Sequence, residues 1–145
     1  MSNLVVLGLL TGNPAYLERA EAIPQAFAAE LGKNTLGHCG LLAGFYDLIA
    51  PQQVVVIGTA DAEASAKLSR AMFKLSLPGA VQQVAPESSL GSSGIATAGA
   101  LLGKTAHDGK PTAYACIGPQ CSLPVTEADA LLEVLRGQRA IATAS

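Results

Sequence analysis

Two of the three cysteines in this 145-residue chain, Cys116 and Cys121, lie where a predicted strand ends. Two prolines and a glycine between Ile117 and Val125 predict a stiff turn that holds both sulfurs near one place. Their separation permits a disulfide or redox pair, and it also permits half of a zinc site. It differs from the two-residue spacing of the redox motifs that lie at the N-terminus of a helix. The next predicted helix here begins only near Thr126, beyond both cysteines. Our first interpretation is a pair of structural thiols, and the other two stay open.

The other candidates for chemistry do not form a complete signature. His38 and Cys39 are adjacent, and His107 is a further possible ligand. Adjacent side chains on a helix point about 100° apart, so His38 and Cys39 could not easily bind one ion, and we predict no metal site from these three residues. Residues 99–105 resemble a phosphate loop but have one residue too few between the glycines, and residues 91–94 fall one short of a nucleophile elbow. We therefore predict no catalytic residue, no cofactor and no bound metal.

Composition limits the classes of function. The net charge is −2 and the nine Lys and Arg residues are scattered singly, which argues against a nucleic-acid partner. The apolar run from Leu4 to Leu10 is too short to span a bilayer, so we predict no membrane partner. An odd cysteine count without a recognisable secretory signal favours a reducing compartment, the cytoplasm. Only 14% of residues are charged, which predicts that a partner covers part of the apolar surface.

The first fifty residues predict helices. Leu4 to Leu10 form a short one, and Asn13 with Pro14 starts a second whose apolar positions recur as far as residue 31. Pro24 should kink that helix, because it removes a backbone donor. A third apolar stripe precedes Pro51, which should end the helix that carries it. We predict a helical hairpin segment over residues 1–50.

From residue 51 the pattern changes to α/β. Residues 54–57 form a β-branched run typical of a strand covered on both faces, and Thr59 or Asp61 can cap the helix that follows. Further strands are predicted over residues 81–84 and 112–117, and a last helix after Thr126 carries three leucines. The predicted fold class is α+β or α/β: a helical hairpin segment and then a small three-stranded, mainly parallel α/β unit over residues 51–145, packed as one domain.

Three blocks of sequence resemble one family. They are residues 10–20 (LTGNPAYLERA), residues 51–58 (PQQVVVIG), and residues 108–116 (DGKPTAYAC) with Cys121 and the Pro-Val-Thr of residues 124–126. In this order and spacing they resemble the C-terminal region of the YyaL family of thioredoxin-domain-containing proteins, relatives of the spermatogenesis-associated thioredoxin-like protein. The family combines a thioredoxin-like domain, an (α/α) toroid similar to sugar epimerases and glycosidases, and an α/β tail.

The resemblance implies that residues 1–50 are the end of the toroid and residues 51–145 the tail. It transfers no catalytic residue to this chain, but it aligns Cys116 and Cys121 with the family's C-terminal cysteine pair. The function implied is a non-catalytic structural or interaction module, which pairs with another copy or with missing N-terminal domains through the Leu4 to Leu10 helix. The alternatives are a thiol redox or metal-binding module that uses Cys116 and Cys121, and a fragment of a carbohydrate-active enzyme.

Overall fold

The computed structural model describes residues 1–59, 61–90 and 99–144, with side chains as far as residue 139. The α-helices in these ranges are α1 Ser2–Thr11, α2 Pro14–Ala26, α3 Ala28–Lys33, α4 Cys39–Ile49, α5 Ala62–Ala71 and α6 Ala128–Ala144. The strands are β1 Gln52–Gly58, β2 Val81–Pro86, β3 Thr112–Ile117 and β4 Gln120–Cys121. Single 3-10 turns lie at Leu36–His38, Met72–Lys74, Glu87–Ser89 and Gly99–Leu101.

The N-terminal segment is a cluster of four helices rather than a hairpin. Gly12 ends α1 with a φ of 68°, and the side chain of Asn13 caps α2 by accepting a hydrogen bond from the amide of Ala15. The single helix predicted to continue to residue 31 is wrong, because the chain breaks at Phe27 and restarts as α3. Pro24 lies inside α2, three residues before this break, and supplies no backbone hydrogen to the turn before it.

The sheet corrects the predicted fold class. Its strand order is β2-β1-β3-β4, and only β1 and β2 run parallel. Both the β1–β3 pair and the β3–β4 pair are antiparallel, so the sheet is four-stranded and mixed rather than three-stranded and mainly parallel. An apolar run has the same pattern whichever way its strand points, so the sequence could not set the direction of β3. The fourth strand was missed because it has two residues and lies within the predicted turn.

The two faces of the sheet are covered by different parts of the chain. On one face, α5 and α6 pack against Val54 and Val56 of β1. On the other face, Val55 and Ile57 pack with the turn at Gly99–Leu101, and α1 contacts this turn and β2. Side chains alternate between the faces of a strand, which is why β1 is buried on both sides. The sheet is therefore the middle layer of three, with the helical segment on the second face.

Helix α5 offers a local test of the capping argument. The Oδ1 atom of Asp61 accepts a hydrogen bond of 2.9 Å from the amide of Ala64. We expect Asp61→Ala to lower the free energy of unfolding by about 1 kcal/mol, because an amide of the first turn loses its acceptor. Urea denaturation measures this, and Asp61→Asn is the control because it keeps an acceptor oxygen. Equal losses in the two variants would show that the cap is not the cause.

Candidate functional site

Cys116 and Cys121 are joined by a disulfide, which replaces our first interpretation of separate structural thiols. They face each other directly across β3 and β4, and their Cα atoms are 4.0 Å apart. The hairpin turns at Gly118 and Pro119, where Gly118 has a φ of 54° that favours a residue without a side chain. The third cysteine, Cys39, is exposed and free on α4.

The two sulfur-bearing residues differ in burial. Cys116 is 1% exposed and belongs to the apolar cluster on the second face of the sheet. Cys121 is half-buried and packs against that cluster from the edge strand. An approaching reagent therefore meets Cys121 first.

Cys121 lines a cavity of about 570 Å³ between the helical segment and the sheet, which we name the disulfide cavity. Its walls come from α1, the start of α2, the start of β1, the chain around residues 99–104 and the β3–β4 turn. Much of the lining is apolar or glycine, and two polar side chains, Gln53 and Lys104, interrupt it. The volume falls within the range of small-molecule sites. Representative lining residues are Gly8, Leu17, Gln53, Lys104, Pro119 and Cys121.

Gln53 is the most unusual side chain of the cavity. It is 6% exposed, and its Oε1 atom is buried with no hydrogen-bond partner in the part of the chain that the structure describes. Gln53 pairs with Cys116 across β1 and β3, and Cys116 pairs with Cys121, so the three form one row on one face of the sheet. A buried amide oxygen without a partner costs free energy. The Oε1 atom has almost no accessible surface, so a ligand that donates a hydrogen bond there would remove the cost only if the Gln53 side chain turned toward the cavity.

Lys104 places a positive charge at the same cavity. Its Nζ atom lies 4.8 Å from the centroid of the Tyr114 ring, a cation–π contact. The ring is held in turn, because the Tyr114 hydroxyl donates a hydrogen bond of 2.8 Å to the carbonyl of Thr105. Tyr114 precedes Cys116 by two residues and so lies on the same face of β3. The cavity therefore combines a disulfide, an unpaired acceptor and a cation.

Among the other candidates named from the sequence, the phosphate-loop-like residues 99–105 form part of the cavity wall, whereas His38, Cys39 and His107 do not line it. The ring of His38 interacts with the backbone of Asn34 through Nδ1, and Cys39 donates from Sγ to the carbonyl of Leu36. His107 is exposed beside Asp108. Over the described residues, no three His, Cys, Asp or Glu side chains group as metal ligands. The nucleophile-elbow segment at residues 91–94 lies outside the described residues.

Sequence reasoning found the cysteines, set aside the incomplete phosphate loop that contains Lys104, and did not single out Gln53. A signal for Gln53 was present, because a glutamine begins a strand that is otherwise continuously apolar. Lys104 was marked only as the lysine of an incomplete phosphate loop, and nothing in its local sequence relates it to residues 114 and 121. Its position depends on how the chain between β2 and β3 returns to the sheet.

A second surface feature lies on α4. Leu42, Phe45, Tyr46 and Ile49 recur at helical spacing and are 37%, 39%, 42% and 64% exposed, respectively. We name these four residues the α4 stripe. None is charged, and large side chains this exposed normally mark a contact surface when they are contiguous. The predicted contact helix, α1, is largely covered by α2 and α4; its Val5 is 2% exposed and its Leu7 is 40% exposed.

Comparison of the chain with family models, curated proteins and solved structures finds no match. The resemblance to the YyaL family therefore stays a prediction. None of the helices in the described ranges has the length and apolar character needed to cross a bilayer.

Proposed function

We propose that this protein is a non-catalytic association module whose α4 stripe packs against the α4 stripe of a second copy. The observation that carries the proposal is the exposure of four large, uncharged side chains on one helix face. An uncharged apolar stripe is self-complementary, so a two-fold axis can bring two copies together without burying an unpaired charge. The proposal places the protein in the cytoplasm and, through the resemblance, in a YyaL-like architecture.

The helical segment supports the proposal because it has little core of its own. In residues 1–50 the buried positions are Val5, Gly8, Ala20 and Gly44, and only Val5 has a side chain larger than a methyl group. Tertiary packing supplies most of the stability of short helices. A helix that shows its aromatic and aliphatic side chains to solvent therefore gains stability when another helix covers them.

The test is the oligomeric state of the full chain. We expect sedimentation equilibrium to show a dimer for the natural sequence at about 100 μM, since surfaces of this kind associate in a concentration-dependent way. The double substitution Phe45→Glu and Ile49→Glu should weaken the dimer by about 100-fold or more, because it places charge in an apolar contact. Leu123→Glu is the matched control, since Leu123 is 85% exposed and lies outside the helical segment. A natural chain that stays monomeric at that concentration would contradict the proposal.

A second candidate function is a thiol redox module that uses Cys116 and Cys121. The disulfide between them, with one partner half-exposed at a cavity, favours it. We expect titration in urea, which exposes the buried Cys116, to find one thiol, from Cys39, in the air-oxidised chain and three after reduction. Thiol titration with and without reductant measures this. Three reactive thiols after exposure to oxidant would contradict it. In the disulfide form the two sulfurs cannot serve as thiolate ligands to zinc.

The third possibility, a fragment of a carbohydrate-active enzyme, rests on the resemblance alone. Glycoside hydrolysis uses a pair of carboxyl groups that flank the bond to be broken. Among the described residues that line the disulfide cavity there is no Asp or Glu. We therefore place this function last.

A further inference from the structure

The two residues of the disulfide differ in accessibility, because one is partly exposed to solvent and the other is buried. Cys116 is 1% exposed within the apolar cluster, whereas Cys121 is half-buried and lines the disulfide cavity. In thiol–disulfide exchange the attacked sulfur must be reachable, so access selects Cys121 as the point of attack and Cys116 as the leaving group.

The side chains of the cavity also determine which charge and which hydrogen-bonding groups a ligand should carry. Lys104, held over the Tyr114 ring, gives the lining a cation, and the described lining has no acidic side chain to neutralise it. Gln53 adds an acceptor oxygen that has no partner in the described chain and lies in the same cross-strand row as the disulfide. A carboxylate on the ligand can pair with the ammonium group of Lys104, and an amide N–H on the ligand can donate to the oxygen of Gln53. The volume of about 570 Å³ admits a molecule of a few residues rather than a folded protein.

We propose that the disulfide cavity binds a small peptidic thiol that carries a carboxylate, and that the thiolate of this molecule attacks the Sγ atom of Cys121. The inference rests on the second candidate function, the thiol redox module, and names the substrate class and the direction of attack at that site. Lys104 holds the carboxylate and favours the anionic thiolate, while Gln53 accepts from the amide once its buried side chain turns toward the cavity.

The exchange proceeds in two steps. The thiolate sulfur forms a bond to Sγ of Cys121, the bond between the two cysteine sulfurs breaks, and its electron pair leaves on Cys116, which takes a proton from water. A second thiolate then attacks the small-molecule sulfur of the mixed disulfide and releases Cys121 as a thiolate. Two small thiols are oxidised to their disulfide, and the cysteine pair is reduced to two thiols. The reverse sequence oxidises the pair with a small disulfide.

The first experiment measures selectivity in the oxidised full chain carrying Cys39→Ser. Reduced glutathione, 2-mercaptoethanol and cysteamine serve as anionic, neutral and cationic probes, each compared at equal thiolate concentration by acid quenching and mass spectrometry. We expect glutathione to react about tenfold faster than cysteamine. Lys104→Gln should remove most of that preference, and it should slow glutathione more than 2-mercaptoethanol, because 2-mercaptoethanol has no carboxylate to lose from Lys104. Lys110→Gln is the matched control, because Lys110 is exposed and does not line this cavity.

The second experiment determines which sulfur is attacked. In the same background, Cys116→Ser leaves only Cys121 and Cys121→Ser leaves only Cys116. Oxidised glutathione should form a mixed disulfide with Cys121 at least about tenfold faster than with Cys116, because Cys116 is buried. Unfolding in urea should make the two rates similar, which verifies that burial causes the difference.

The outcomes distinguish a failure of the redox function from a failure of this inference about the substrate and the attacked sulfur. If the oxidised chain retains free thiols at both positions, the redox function and this inference both fail. If the disulfide forms and is reduced without preference for the anionic probe, or if Cys116 reacts first, this inference alone fails. Preference for glutathione that depends on Lys104, together with faster reaction at Cys121, supports it.

Discussion

Replacing Leu131 with alanine should lower the free energy of unfolding by about 3 kcal/mol. Leu131 is 0% exposed on α6 and packs in the cluster that contains Val54, Val56 and Leu68. The loss combines the transfer free energy of the removed methyl groups with the cavity that they leave. Urea denaturation followed by circular dichroism measures it.

The matched control for this substitution is Leu123→Ala. Leu123 is 85% exposed, so its truncation should change the free energy of unfolding by less than about 0.5 kcal/mol. If the two variants were equally stable, α6 would not form part of the core, and the three-layer arrangement around the sheet would be wrong. The thiol chemistry of Cys116 depends on this arrangement, because the sheet holds its strand.

Replacing Gly99 with alanine should be destabilising by about 3 kcal/mol and should disturb the wall of the disulfide cavity. Gly99 has a φ of 59°, and a Cβ atom there would lie 2.6 Å from the backbone carbonyl oxygen of Leu9. Real side chains do not approach a backbone oxygen this closely, so α1 would have to move away from the turn. Denaturation and hydrogen exchange of the α1 amides measure the effect.

Gly103→Ala separates the two causes of that loss. Gly103 has a φ of 72°, but a Cβ atom there would meet nothing within 4 Å, so only backbone strain of about 1 kcal/mol is expected. Both variants should also be tested for reduction by glutathione. Equal stability losses at the two positions would show that the contact between Gly99 and α1 is absent and that this side of the cavity is open.

Local elements were the most predictable part of the fold. The third predicted strand, residues 112–117, coincides with β3, and the β-branched run at residues 54–57 lies within β1. Asn13 and Asp61 were predicted as caps, and each accepts the expected backbone hydrogen bond. These features depend on a few neighbouring residues, whose propensities and hydrogen-bonding groups act over one turn or one strand.

The arrangement of those elements was less predictable. The direction of β3 depends on which edge of β1 the chain reaches after β2, and the apolar pattern is compatible with either direction. The extra strand β4 exists because Gly118 and Pro119 turn the chain back along β3, so that the predicted turn is itself a hairpin. Likewise, α1 was expected to be the exposed contact helix, whereas the larger exposed stripe lies on α4.

The amino-acid order alone was enough to establish the cysteine pair, the stiff turn between its members, the helical first third and the change to α/β at residue 51, because each is a local property. It was not enough to distinguish separate thiols from a disulfide, or to bring Gln53 and Lys104 to the same cavity. Those outcomes follow from the pairing of β1, β3 and β4 and from α1 packing over one face of the sheet. Contacts between residues far apart in the chain depend on the whole packed core, and the residues that surround the disulfide are brought together by such contacts.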